Sequence, residues 1–290
     1  MSFTIDHFDL NAFVTATLAE DMNGPLYGAE DVRGHDITSE SVIPTDMRFS
    51  GVMDSREAII VAGLPLAEAF FRALDPDCRI EILFNEGASA PDGADLMRLI
   101  GNGRAMLTAE RSALNIVQHL SGIATLTRQY VDAIDGTGCT LLDTRKTTPG
   151  LRHLEKYATR MGGAQNHRMG LWDAAMIKDN HVAIAGGVGA AVKRAVAHGV
   201  KDIILEVDRL DQIEEGIAAG ATHILLDNMA PAMLRDAVAL INGRTKTEAS
   251  GGVTLESIRA KAESGVDFIS VGRITQSAPA MDIGLDFTQI

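Results

Sequence analysis

The stretch Ile203-Ile204-Leu205-Glu206, followed one helix length later by Ile224-Leu225-Leu226-Asp227, decides the fold. Each is a run of strand-forming apolar residues ending on a carboxylate, and the residues between them are rich in Ala and Glu. The same rhythm of strand, polar tip and helix recurs at 139–143, 174–177, 202–206, 222–226, 246–249 and 267–271. Six such units imply a parallel sheet with helices outside it, closed as a barrel or as part of one. A doubly wound sheet is the alternative. Its dinucleotide-binding form wants Gly-x-Gly-x-x-Gly opening a helix, and Gly186-Gly187-x-Gly189 has the wrong pattern. In a parallel barrel the residues just past the carboxyl ends of the strands share one mouth, so groups far apart in the chain converge there.

Outside this region the rhythm is different. Residues 8–20 have helical spacing in Phe8, Leu10, Phe13, Val14 and Leu18, and a loop rich in Gly, Asp and Glu follows. Strand-like runs at 47–53, 57–61, 79–84 and 95–100 surround a helical stretch from Leu64 to Leu74, which without regular alternation reads as an α+β unit. From Ala105 to Ile134 the pattern is helical, with a break expected at Ser121-Gly122, and reads as the connection between domains.

The 290 residues, 46% of them hydrophobic, can bury a core for one large or two smaller domains. The formal net charge of −13 argues against nucleic acid or an anionic membrane as partner, since both require a basic surface. Positive charge is nevertheless concentrated locally: Arg145, Lys146, Arg152, Lys156, Arg160, Arg168 and Lys178 face only Glu155 and Asp173 in their segment. Cys78 and Cys139 have neither metal-ligand spacing nor a disulfide pattern, which points to a reducing cytoplasm. The first ten residues carry Asp6, His7 and Asp9 where a secretory leader would be apolar.

Ser250-Gly251-Gly252 and Gly272-Arg273 follow the last two strands, where barrels cradle a phosphate on backbone N–H groups. Glu206 and Asp227 end the two strands before them. Carboxylates so placed hold Mg²⁺ through water, accept hydrogen bonds from vicinal hydroxyls, or pair with a lysine; two on neighbouring tips beside a phosphate cradle fit a phosphorylated ribose. Thr144, Arg145, Lys146, His167, Arg168 and Lys178 lie in or beside acid-free stretches, and mixing planar guanidinium forks with movable ammonium charges suits a ligand bearing carboxylate and phosphate together. His153 and His181 read as loop or surface histidines, and the methionines as core filling.

The runs Asp143-Thr-Arg-Lys-Thr-Thr-Pro-Gly-Leu-Arg152, Asn166-His-Arg-Met-Gly170, Ile177-Lys-Asp-Asn-His181, Ala109-Glu-Arg-Ser-Ala-Leu-Asn115 and Leu120-Ser-Gly-Ile-Ala124 resemble the quinolinate phosphoribosyltransferases. The similarity continues through Glu248-Ala-Ser-Gly-Gly252 and Ser277-Ala-Pro to Asp286, nearly the whole chain. The resemblance implies an N-terminal α/β sandwich over 1–115, an incomplete, TIM-like parallel α/β barrel over 116–274, and a tail, 275–290, that packs back on the first domain. It implies joining of quinolinate to 5-phosphoribosyl 1-pyrophosphate with Mg²⁺, yielding nicotinate mononucleotide, pyrophosphate and carbon dioxide. Carried over position by position, Arg111, Arg145, His167 and Arg168 would grip the quinolinate carboxylates, with Lys146 and Lys178 shared between quinolinate and pyrophosphate. Glu206 and Asp227 would take the ribose hydroxyls and Mg²⁺, and Ser250, Gly251, Gly252, Gly272 and Arg273 the 5′-phosphate. Arg273 departs from the small or apolar residue commoner there, and adds either a phosphate contact or a surface charge. A homodimer, or a higher oligomer built from it, would complete each site with Arg111 of the other subunit. Three alternatives share parts of this pattern: a molybdenum-transport-associated pyrophosphorylase, a nicotinate phosphoribosyltransferase, and a Schiff-base aldolase using Lys146 or Lys178 as nucleophile.

Overall fold

The computed structural model describes residues 4–22 and 34–290; most of the loop expected after the first helix lies outside the described residues. The first part of the chain forms α1 (Leu10–Asp21), α2 (Ile37–Val42), β1 (Arg48–Ser55), β2 (Ile59–Ile60), α3 (Leu64–Leu74), β3 (Arg79–Ile82), β4 (Ser89–Ala90), β5 (Asp95–Asn102) and α4 (Gly103–Ala133). There follow β6 (Thr140–Leu142), α5 (Arg152–Met161), β7 (Ala175–Ile177), α6 (Asp179–Ala185), α7 (Val188–Ala197), β8 (Ile203–Val207), α8 (Asp211–Ala219) and β9 (His223–Asp227). The chain ends with α9 (Pro231–Ile241), β10 (Lys246–Ser250), α10 (Leu255–Ala262), β11 (Phe268–Ser270), α11 (Arg273–Gln276) and β12 (Ile283–Gln289). Contacts divide it into two compact units, one of Met1–Leu126, His153–Gly162 and Ala278–Ile290, the other of Thr127–Arg152 and Gly163–Ser277.

The first unit is built on an antiparallel sheet of order β12-β1-β5-β3. Its edge strand β12 comes from the far end of the chain and pairs with β1 from Phe49↔Gln289 to Ser55↔Ile283. Against the sheet, α3 buries Leu64, Leu66, Ala67, Phe70 and Phe71, the spacing of one helical face. The N-terminus of α3 is closed by Glu86, whose Oε2 accepts from Gly63 N–H at 2.6 Å and Oε1 from Leu64 N–H at 3.1 Å. These are donors the first turn of a helix cannot satisfy itself.

Two expectations fail in this unit for one reason. Helix α4 runs through Ser121-Gly122 without the expected break. Instead Ser121 Oγ accepts from Ala62 N–H at 3.1 Å, and a Cβ on Gly122 would lie 1.9 Å from the Pro279 carbonyl oxygen. The pair is small so that neighbouring backbone can approach the helix. The strand expected over 57–61 is correspondingly reduced to Ile59–Ile60, because Ile60 N–H is taken by Thr125 Oγ1 at 2.8 Å and Ala62 N–H by Ser121, both side chains of α4.

The second unit is a six-stranded parallel sheet of order β6-β11-β10-β9-β8-β7. The end strands β6 and β7 are not paired with each other, so the barrel is incomplete. Apolar residues of β8 and β9, including Ile203, Leu205, Ile224 and Leu226, are buried, as strands sheathed by helices require. Parallel register sets the tips level: Ser250 is opposite Asp227, and Ser270 opposite Leu142, the residue before the Asp143–Lys146 tip.

Candidate active site

At these tips the second unit contains a cavity of about 760 Å³. Every barrel residue singled out in the sequence lines it: Thr144, Arg145, Lys146, His167, Arg168, Lys178, Glu206, Asp227, Ser250, Gly251, Gly252, Gly272 and Arg273. Arg111 does not; it is an exposed residue of α4 in the first unit.

The anion-facing side is built from short loops held by buried carboxylates. Asp143, fully buried, accepts His167 N–H through Oδ1 at 2.8 Å and the Asn166 amide through Oδ2 at 2.6 Å. This anchors the Asn166-His167-Arg168 segment to the end of β6. Arg168 donates from Nη1 to the Ala174 carbonyl at 2.9 Å. Burial and then the nearby charge of Arg145 lower the pKa of its guanidinium. Two guanidinium groups close enough to oppose one another's charge form a site that an anion relieves. The Nε of Arg145 is itself buried without a hydrogen-bond partner.

The opposite side carries the acids and glycines. Glu206 Oε2 lies 2.6 Å from Lys178 Nζ, so the ion pair weighed for this acid is the arrangement present. Asp227 Oδ2 accepts from the amide of Asn228 at 2.7 Å, and Asn228 holds φ at 55° while donating its N–H to the Ser250 carbonyl. That fold of the β9 tip leaves no room opposite it: at Gly251, φ 85°, a Cβ would lie 2.2 Å from Asn228 Oδ1. At Gly272 a Cβ would lie 2.7 Å from Lys146 Cδ. Gly251 is thus fixed by its left-handed backbone and the adjacent Asn228 side chain, whereas at Gly272 it is the flexible Lys146 side chain that lies close. Ser250 Oγ accepts from Ser270 Oγ at 2.9 Å. The Lys146 loop is fixed by its N–H to Thr144 Oγ1 at 3.1 Å and by Thr275 Oγ1 donating to the Lys146 carbonyl at 2.8 Å.

The cavity also contains Glu248 and Asn228, which the sequence did not single out for binding. Glu248 sits mid-strand in β10 and is wholly buried. Burial pushes its carboxyl up, but the imidazoles of His167 and His223 outweigh burial and hold it at about 2. The signal available was a lone carboxylate among the small residues Thr247, Ala249 and Ser250, two positions before the phosphate-type turn begins. His181, read as a loop or surface residue, is exposed in the first turn of α6, where its Nδ1 accepts from Lys178 N–H at 2.9 Å and so shapes the Lys178 tip. Among the described residues no cluster of three or more His, Cys, Asp or Glu is arranged to hold a metal ion by itself.

An open parallel barrel whose mouth joins two glycine turns to a guanidinium pair and two tip carboxylates defines a barrel transferase site for polyanionic, sugar-phosphate-like substrates. Family comparison makes the class specific. Residues 36–121 match the N-terminal domain, and residues 123–286 the C-terminal domain, of quinolinate phosphoribosyl transferase. The chain belongs to this family. It is 41% identical over 301 residues to the chloroplastic nicotinate-nucleotide pyrophosphorylase [carboxylating] of Arabidopsis thaliana, covering 96% of this chain and 82% of that one. It is also 41% identical to the probable nicotinate-nucleotide pyrophosphorylase [carboxylating] of Bacillus subtilis, over 89% of this chain and 90% of the relative. The solved structure of NadC from Streptococcus pyogenes superposes with a TM-score of 0.91 at 35% identity, covering all of both chains.

Proposed function

We propose that the protein is a phosphoribosyltransferase that converts quinolinate and 5-phosphoribosyl 1-pyrophosphate into nicotinate mononucleotide, pyrophosphate and carbon dioxide, a step of NAD biosynthesis. The observation that carries the reading to this chain's own residues is the guanidinium pair Arg145 and Arg168 in one cavity with the Ser250-Gly251-Gly252 turn. Two carboxylates on one ring are matched by two planar donor forks, and a 5′-phosphate by a glycine turn.

In this reading Arg145 and Arg168 orient quinolinate so that its ring nitrogen faces the ribose C1. Attack by that nitrogen displaces pyrophosphate, and positive charge grows at C1 while negative charge grows on the leaving group. Lys146 and Lys178 face the latter, and cations placed before the reaction lower the barrier without reorganising during it. Glu206 and Asp227 receive the ribose hydroxyls; binding therefore exchanges the Lys178–Glu206 pair for contacts of each partner to substrate. Once alkylated, the ring nitrogen is positive and stabilises the carbanion left when the adjacent carboxylate departs as carbon dioxide. Mg²⁺ fits the donor set as a cation held mainly by diphosphate oxygens and water beside Glu206 and Asp227, and when bound it would neutralise leaving-group charge. A Schiff-base aldolase is not favoured, because Lys178 is engaged by Glu206 and the chain's near relatives carry a pyrophosphorylase name. The chain's near relatives carry the carboxylating name, which disfavours the molybdenum-associated and nicotinate-specific alternatives.

We further propose a homodimer, because Arg111 is exposed on the first unit while the remaining carboxylate-binding groups line one cavity of the second. A reducing, cytoplasmic setting accords with two free cysteines, and no helix among the described residues is long and apolar enough to cross a membrane. Incubation with quinolinate, phosphoribosyl pyrophosphate and Mg²⁺ should release pyrophosphate and carbon dioxide in equal amounts with nicotinate mononucleotide. Absence of that product from folded protein would refute the function. For the dimer, Arg111→Ala and Lys146→Ala subunits refolded together in equal amounts should regain roughly a quarter of wild-type activity, since about half the dimers are mixed and each has one intact site. If subunits exchange and no activity returns, Arg111 does not act across the interface.

A further inference from the structure

His167 has no ring nitrogen to spare. Its Nδ1 accepts the Arg168 N–H at 2.7 Å, so its proton resides on Nε2, which lies 3.2 Å from Glu248 Oε2. The imidazole side chain is only 6% exposed and Glu248 not at all. A second imidazole, His223 Nε2, stands 3.0 Å from the same carboxylate oxygen without hydrogen-bond alignment, and Oε1 of Glu248 has no partner. A buried carboxylate with one oxygen unused carries a desolvation cost that a fold alone would avoid, since a buried ionised group is expensive unless fully paired. The carboxylate lies between two imidazoles and near the Ser270 hydroxyl, and one of those rings, His167, underlies Arg168.

We infer that Glu248 is a positioning residue for the substrate-binding arginine: it accepts from Nε2 of His167 and so fixes the orientation of that ring, and the ring in turn holds the Arg168 backbone where its guanidinium can meet a carboxylate. The inference deepens the proposed function and rests on Arg168 binding quinolinate. Asp143 holds the same segment by the His167 N–H, so Glu248 and Asp143 grip it from two strands, β10 and the end of β6.

Three measurements test this. In Glu248→Leu the ring loses its acceptor, and the KM for quinolinate should rise about tenfold or more while that for phosphoribosyl pyrophosphate stays within about threefold. Glu248→Gln keeps a neutral acceptor of the same shape and should restore the quinolinate KM to within about threefold of wild type. Nitrogen-15 NMR of the unliganded wild-type protein, which needs no variant to fold, should show His167 as the neutral Nε2–H tautomer. Equal KM changes for both substrates, a Gln variant as impaired as Leu, or a His167 imidazolium would each overturn the inference. Should wild-type protein fail to turn over quinolinate, the functional reading falls while the tautomer result still decides the positioning role of Glu248.

Discussion

Each unit withdraws a glutamate from solvent, one partly and one wholly, and they use it oppositely. In the first, Glu86 caps α3 with two backbone N–H groups and accepts Tyr157 Oη at 2.6 Å; burial nevertheless wins and raises its pKa. In the second, Glu248 is buried more completely, yet imidazole neighbours hold it at about 2. The first acid completes hydrogen bonds that architecture leaves open. The second keeps a negative charge beneath a binding cavity. The same residue type therefore reports scaffold in one unit and site in the other, and the partners tell which.

If the barrel mouth is the working region, damage there should abolish activity and spare the fold. Lys146→Ala should lower turnover by on the order of a hundredfold or more, with an unchanged melting temperature, because an exposed cation is removed and no core cavity opens. Near-normal turnover would break the assignment. A smaller effect is expected for Arg168→Lys, which keeps charge but loses the fork: the KM for quinolinate should rise on the order of tenfold, and that for the phosphoribosyl substrate should not. A change confined to the latter substrate would place Arg168 on the wrong ligand.

Gly251→Ala sharpens the comparison further, since it strains the tip without touching charge. A left-handed backbone costs about 1–2 kcal/mol for a residue with a Cβ, here also pressed on Asn228, so melting should fall by roughly 2–6 °C. Affinity for the phosphoribosyl substrate should fall with it. Unaltered affinity would leave the turn without a phosphate role.

The smallest effect is in the pH dependence of stability, and it has opposite sign in the two units. The depressed pKa of Glu248 contributes stability above its unfolded value of about 4.3, lost as pH falls toward about 2. The raised pKa of Glu86 is a cost at neutral pH that is relieved as pH falls through the raised value toward the unfolded one. Thermal melts from pH 7 to 2.5 should therefore show wild type gaining on Glu86→Gln between neutrality and about pH 4.3, and losing ground to Glu248→Gln below that. The same trend in both variants would erase the contrast.

The barrel site was readable because parallel strands are nearly uniform signals: Ile203–Glu206 and Ile224–Asp227 announce both the strand and its tip, and the barrel brings the tips together. The first unit was less so. Strand β12 is an edge strand whose partner β1 lies at the other end of the chain, a pairing no local pattern encodes, and Ser121-Gly122 reads as a helix break until Pro279 is seen against it. Glu248 was missed for a related reason. Its meaning depends on His167 and His223, distant in sequence and brought to it only by the folded barrel.

The most direct test is competition between quinolinate and nicotinate at equal concentration with limiting phosphoribosyl pyrophosphate. A site built around two guanidinium forks should prefer the dicarboxylate by about a hundredfold or more in kcat/KM, since nicotinate leaves one part-buried guanidinium unmatched. Labelled carbon dioxide should then account for nearly all the nucleotide formed. Comparable use of nicotinate, with nucleotide accumulating in excess of carbon dioxide, would contradict the account.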